Sequence, residues 1–248
     1  MAYYGTALPI SLIQGNKELL RTPHFWIKSA AFIILIGLFT GYYLFPGWVQ
    51  SLSDPSELIF AYWVSNYLKG FVIFIVPIFI IKHLFDKSQT SAYGLAFRKF
   101  NYKPYLTILL IVLPFIIIAS FQPDFQMKYP MFKPWTVNSA FGFNRLAMGT
   151  IFELLYGISF VFIEWVFRGA LVLGLVSVMG KGVILPMVAS YAFLHFGKPP
   201  LEAISSIFGG YILGIISLRT KSIMGGTVIH VGIAWAMDLC AYLQHYFK

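Results

Sequence analysis

The chain has 248 residues, of which 58% are hydrophobic and only 11% charged, against about 25% charged in an ordinary soluble domain. So few polar residues cannot cover a water-facing surface, which excludes a soluble fold and points to an all-α, polytopic transmembrane bundle, one domain over 1–248. The net charge of +9, carried by segments between apolar runs, suits anionic lipid headgroups and not nucleic acid, and the one cysteine, Cys240, excludes an intramolecular disulfide or a cysteine-rich metal cluster.

Residues 1–28 are mixed, carry Lys17, Glu18, Arg21, His24 and Lys28, and lack the pattern of a cleaved secretory signal. They read as a cytoplasmic N-terminal segment. Apolar runs of membrane length follow near 29–49, 58–82 and 104–121. The next run, 146–179, would make a helix of about 50 Å, so it must tilt, bend or break. Shorter runs at 183–196, 201–218 and 222–245 bring the expected number of spans to seven or eight. Lys82, Lys87, Arg98, Lys99 and Lys103 place the 82–103 connection on the cytoplasmic side with the N-terminus, and Asp54 and Glu57 suit an outside loop. The connection 122–145, with Lys128, Lys133 and Arg145, does not fit this simple alternation. Trp26, Tyr42, Tyr43 and Trp48 read as interfacial anchors. The stretch 88–103, with Tyr93, Leu95, Phe97 and Phe100 among its basic residues, reads as a membrane-surface segment or as a plain basic loop.

An ionisable residue at the centre of a span costs about 2.5–3.5 kcal/mol on insertion scales and therefore needs a partner or a function. Lys69 is the only such residue well inside the first three runs, whereas the second half holds Glu153, Glu164, Arg168, His195, Glu202, His230 and Asp238. Function is expected there, in a catalytic half of about 146–245. Glu164 and Arg168 are four residues apart and share a helix face, either as a self-neutralising ion pair or as part of a site. With His195 and His230 they form a set suited to hydrolysis, with a carboxylate to activate water and imidazoles to orient it or to stabilise an oxyanion. Glu164, His195 and His230 are equally a set that can hold zinc, and the residue types leave both mechanisms open. The zinc motif H-E-x-x-H is absent, and Ser159 lacks the second glycine expected of a rhomboid-type serine site.

The ordered trio of Glu164-x-x-Phe167-Arg168-Gly169, Tyr191-x-x-x-His195 and His230 resembles the CPBP family of CAAX prenyl endopeptidase-like and bacteriocin-processing intramembrane proteases. The stretch His195-Phe196-Gly197-Lys198-Pro199 with Glu202 and Gly209-Gly210 adds to the resemblance, which covers roughly 150–240. It implies an intramembrane endopeptidase acting on a membrane-associated or lipidated substrate. Two positions depart from the family pattern. The first Glu of Glu-Glu-x-x-x-Arg, commonly held to be the base, is Ile163 here, which shifts that role to Glu164. The polar residue four positions after the last histidine is Ala234, and Asp238 lies about 12 Å and 80° further along the helix.

Tyr191, Glu202, Asp238 and Glu153 are supporting candidates. Asp238 reads either as a structural partner of Lys198 or Arg219 or as a site residue, Glu153 is placed to line the same polar cavity without touching the chemistry or to stand apart from it, and Glu202 reads as a first-turn acid or as entering the site beside His195. Gly209, Gly210 and Gly214 read as helix-packing positions. Two rivals stand beside the protease: a catalytically silent scaffold or immunity-type membrane protein, which Ile163 and Ala234 favour, and a proton-coupled transporter using the intramembrane carboxylates.

Overall fold

The structure, a computed structural model, describes residues 1–41, 47–87, 91–95 and 100–247, apart from the side chains of Lys17 and Leu20. Tyr42, Tyr43, Phe97, Arg98 and Lys99, read from the sequence as anchors or surface residues, lie outside it. The described helices are α1 (Ala2–Ile13), α2 (Pro23–Gly41), α3 (Gly47–Gln50), α4 (Pro55–Gly70), α5 (Val76–Phe85), α6 (Lys103–Ala119), α7 (Pro123–Lys128), α8 (Arg145–Glu164), α9 (Val176–Met179), α10 (Ile184–Phe193), α11 (Pro200–Thr220) and α12 (Met224–Tyr246). Wider π-helical turns, Phe71–Ile75 and Trp165–Leu173, extend α4 into α5 and prolong α8. Helices satisfy their own backbone groups, which an apolar solvent demands.

Local chemistry sets several helix ends. Asp54 accepts from the Ser56 and Glu57 amides, and Pro55 occupies the first turn of α4. Asn144 caps α8 through the Ala147 amide. Pro200 opens α11, and Lys221, in the left-handed conformation, closes it.

Five stretches are long and apolar enough to cross a membrane: Pro23–Gly41, Pro55–Phe85, Arg145–Phe193, Pro200–Thr220 and Met224–Tyr246; Lys103–Ala119 is apolar but shorter. The expected count of seven or eight treated 183–196 as a span of its own. That run forms α10, 10 residues long, or about 15 Å, half the thickness of a hydrocarbon core. The 146–179 run does break, at Gly174 and Leu175, after the π-helical turns. Outward faces carry large exposed apolar side chains such as Ile34, Val72, Leu110, Ile111, Phe115 and Ile118, as lipid contact requires. The protein is an integral membrane protein.

Two segments read as peripheral belong to the core. α1 packs along α10, burying Tyr3 and Ala7, and the Tyr3 hydroxyl donates to Met179 Sδ at 3.6 Å. Tyr93 is fully buried, because residues 91–95 turn back into the bundle. Trp165 Nε1 donates to Ala92 O at 2.7 Å, and the Ile223 amide donates to Gly94 O at 3.1 Å. Gly169 permits this approach, since a Cβ there would lie 2.6 Å from the Tyr93 carbonyl oxygen. Neither expectation for 88–103 describes residues 91–95: a short turn with one large aromatic was hidden among basic residues.

Lys28, which the sequence places among the charges of an N-terminal segment, is 2% exposed. Its Nζ donates to Asp86 Oδ2 at 2.6 Å and to Gly174 O at 2.5 Å, and the Tyr93 hydroxyl donates to the same Asp86 oxygen. This knot ties α2, the end of α5, the 91–95 turn and the break after the π-helical turns. Burial and the Asp86 charge together push the Tyr93 phenol well above its ordinary range. Removing one partner of a buried pair strands the other, which costs about 3–5 kcal/mol. Lys28→Ala is therefore expected to lower the thermal unfolding temperature of detergent-solubilised protein by several degrees at least, and an unchanged temperature would show that the knot is not structural.

Candidate functional site

Glu164 is the last residue of α8 and Arg168 lies one turn later, so the helix brings the two together. Arg168 Nη1 donates to Glu164 Oε1 at 2.9 Å, and both side chains have no exposed surface. α12 adds His230, whose Nδ1 lies 2.9 Å from the same oxygen. The carboxylate oxygen accepts, so Nδ1 carries the hydrogen and Nε2 presents its lone pair. Gly226, one turn before His230, allows α12 this close, since a methyl group there would collide with the Glu164 carboxylate.

α10 supplies Tyr191 and, just beyond its end, His195. The Tyr191 hydroxyl lies 3.3 Å from His230 Nε2, and the Arg168 guanidinium sits 4.2 Å from the centroid of the Tyr191 ring. His195 Nδ1 is 2.8 Å from Tyr191 O. A backbone carbonyl can only accept, so His195 also bears its hydrogen on Nδ1 and leaves Nε2 as an acceptor. Arg168, Glu164, His230 and Tyr191 thus form one chain of contacts, and His195 is tied to its far end.

Two cavities meet at this cluster. The first, about 180 Å³, is lined by Tyr156, Tyr191, His195, Lys198, Glu202 and His230 together with apolar residues of α6, α11 and α12. The second, about 170 Å³, shares Phe160, Tyr191, His195, Lys198 and His230 and is otherwise formed largely by apolar residues including Phe39, Phe74, Ile163 and Phe167. Glu164 and Arg168 are not among the lining residues of either. They reach the cavities only through His230 and Tyr191.

Glu202 combines both roles considered for it, standing in the first turn of α11 and lining the first cavity. Its Oε1 accepts from Lys198 Nζ and its Oε2 from the Tyr129 hydroxyl, each at 2.6 Å. Burial and then the Glu202 charge push the Tyr129 phenol well above its ordinary range, keeping it a donor. Tyr129 went unnoticed in the sequence because nothing local separates it from other aromatics, whereas the four-residue spacing of Lys198 and Glu202 was a readable signal.

Asp238 and Glu153 go elsewhere. Asp238 accepts from the Met131 amide at 3.1 and 3.2 Å and lies beside the Glu153 carboxyl, so neither Lys198 nor Arg219 is its partner. Glu153 lines a separate cavity of about 560 Å³ with Trp135, Arg145 and Tyr242 instead of the histidine cavity. Eleven residues of helix carried it too far along the axis. Gly210 and Gly214 pack against Tyr191, Val188, Met187 and Ile184 of α10, while Gly209 lines the first cavity.

Among the described residues no group of three His, Cys, Asp or Glu side chains could hold a metal ion. In a zinc arrangement, Glu164, His195 and His230 would turn toward one point. Here the Glu164 carboxylate meets His230 on its Nδ1 side, opposite the Nε2 atom that would have to share an ion with it.

Residues 150–236 match the family model described as Rce1-like, type II CAAX prenyl endopeptidase Rce1-like. Glu164, Arg168, Tyr191, His195, Glu202 and His230 all fall inside the matched region, and the match supports assigning the chain to the CPBP/CAAX protease family. No curated protein and no solved structure matches.

Close packing of Gly226 against the carboxylate sets a steric requirement. Gly226→Ala is expected to destabilise the detergent-solubilised protein by about 1–3 kcal/mol, the usual cost of overpacking, read as a fall in unfolding temperature. An unchanged temperature would mean that α12 can move away from Glu164 freely.

Proposed function

Proceeding from an Rce1-like assignment of residues 150–236, we propose that this protein is an intramembrane endopeptidase that cleaves a membrane-associated or lipid-modified peptide, with a prenylated CAAX end as the first class to test. The observation that carries the reading is the buried Arg168–Glu164–His230 chain, which ends on a cavity also walled by His195. An ion pair needed only for neutrality has no reason to include a histidine that opens onto a cavity.

Glu164 takes part in water activation through His230. The carboxylate holds the Nδ1 hydrogen, aims Nε2 at the cavity and stabilises the imidazolium that forms when Nε2 takes a proton from water, the division of labour of an acid–histidine pair. Arg168 fixes the carboxylate. The hydroxide oxygen bonds to the scissile carbonyl carbon, and the C–N bond then breaks as His230 returns the proton to the leaving nitrogen. His195, with its own Nε2 lone pair on the same wall, orients the water. Ile163, at the position of the family's first Glu, lines the second cavity as an apolar wall, which is why His230 and Glu164 must do this work.

A second reading, a catalytically silent scaffold or immunity-type membrane protein, draws on Ile163 and Ala234, which leave apolar groups on the two cavity walls. The basic segments favour a cytoplasmic N-terminus. In proteoliposomes, Glu164→Gln, His195→Ala and His230→Ala are each expected to slow cleavage of an S-farnesyl CAAX peptide by about 10²–10⁴-fold, the usual contribution of general acid–base catalysis, with rates taken per inserted, folded molecule because Glu164→Gln also leaves the buried Arg168 charge without its partner. Full activity in all three variants would refute the endopeptidase assignment; a wild-type protein that cleaves nothing in a broad membrane-peptide library would favour the silent reading.

A further inference from the structure

Hydrolysis at this site requires two complementary groups on the cavity wall: a lone pair to receive the proton of water, and a hydrogen-bond donor for the oxygen that becomes negative. The hydrogen-bond pattern supplies the first twice over. His195 and His230 both spend their Nδ1 hydrogen inside the protein, on Tyr191 O and Glu164 Oε1, and turn an acceptor toward the cavities. Neither imidazole, so held, can begin the reaction as the donor.

The other polar groups nearby are engaged or out of reach. Lys198 Nζ and the Tyr129 hydroxyl donate to Glu202. The Ser205 and Ser206 hydroxyls donate to the backbone oxygens of Glu202 and Ala203, and Thr40 to that of Ile36. Arg168 lines neither cavity, and Ala234, one turn beyond His230, has no polar side-chain atom. Tyr156 opens onto the first cavity alone, and no hydrogen bond joins it to either histidine among the described residues. Tyr191 differs on each count. It lines both cavities, and its hydroxyl stands 3.3 Å from His230 Nε2, the atom that would take the proton of water.

We propose that Tyr191 is a catalytic residue whose hydroxyl supplies the oxyanion hydrogen bond, an inference that rests on the endopeptidase reading. In the free protein the O–H donates to His230 Nε2 and keeps that lone pair occupied. A phenolic hydrogen swings about its C–O bond without moving the ring. When a substrate carbonyl enters, the O–H turns to the carbonyl oxygen and releases Nε2 for water. Water gives its proton to Nε2, its oxygen bonds to the carbonyl carbon, and the carbonyl π pair settles on the oxygen that Tyr191 now holds. Packing fixes the ring in that position. The Arg168 guanidinium lies over it at 4.2 Å, placing a positive charge beside the developing anion, and Phe167 meets it edge-on at 5.4 Å.

The test uses the full-length protein in lipid, an S-farnesyl CAAX peptide as substrate and a phosphinate analogue of that peptide as a mimic of the tetrahedral anion. Tyr191→Phe keeps the ring and its packing and removes only the donor. It is expected to lower kcat by about 10²–10³-fold, the usual loss for one oxyanion donor, with KM and unfolding temperature unchanged and phosphinate affinity reduced in step with kcat. Wild-type kcat and phosphinate affinity in Tyr191→Phe, alongside inactive Glu164→Gln and His230→Ala, would overturn the role of Tyr191 and leave the protease reading standing. Full activity in Glu164→Gln, His195→Ala and His230→Ala, or no cleavage by the wild type, would remove both. If Tyr191→Phe folds poorly, fluorotyrosine at position 191 retains ring and hydroxyl; the alkaline limb of its kcat profile should move to lower pH, and an unmoved limb would overturn the proposal.

Discussion

A carboxylate and a guanidinium with no exposed surface, inside a bundle that faces lipid, are the constraint around which the second half of this protein is arranged. Removing such ions from water costs several kcal/mol each, and their mutual attraction repays it only with good geometry and further hydrogen bonds. The surroundings meet those terms in part. His230 adds a second hydrogen bond to Glu164 Oε1, the Tyr191 ring receives the guanidinium face, and Gly226 lets the last helix close over the carboxylate. Among the described residues, Glu164 Oε2 and two guanidinium nitrogens make no hydrogen bond. A pair serving stability alone would be better replaced by apolar side chains of the same volume, so its presence fits a chemical role.

The fold around this pair works as a rigid frame. The π-helical turns from Trp165 to Leu173 begin immediately after Glu164 and carry Arg168, a kind of irregularity often found at functional sites. The 91–95 turn braces them through Trp165, and Lys28 braces the break that follows through Gly174. α1 and α11 lie against α10, which bears Tyr191. The π-helical turns and α10, which hold Arg168 and Tyr191, are thereby fixed by contacts outside the site, as preorganised chemistry requires.

Charge and apolar surface are segregated at the cluster. Glu164 and Arg168 sit behind the wall, the two imidazoles and the Tyr191 phenol form it, and apolar residues line most of the second cavity beyond. On the other side, Lys198, Glu202 and Tyr129 give the first cavity one polar flank. A peptide bond presented here would meet lone pairs and a hydroxyl hydrogen, with apolar walls open to its lipid-like portion.

The sequence by itself determined the solvent, the helical class and the half of the chain that holds the buried ionisable cluster, because hydropathy and the cost of an intramembrane charge act residue by residue. It also determined the Glu164–Arg168 pair, since four-residue spacing on a helix is local geometry. Tertiary structure alone decided what depends on which helices meet. It made α10 a helix too short to span by itself, buried Tyr93 and Lys28, set Asp238 beside Glu153 and Met131, and set Tyr129 against Glu202. It also decided that Glu164 faces His230 and not the cavity, since the packing of α12 on α8 through Gly226 fixes which oxygen and nitrogen atoms touch. Hydrogen-bond direction, and with it the roles proposed for His230 and Tyr191, exists only once those atoms are within reach of one another.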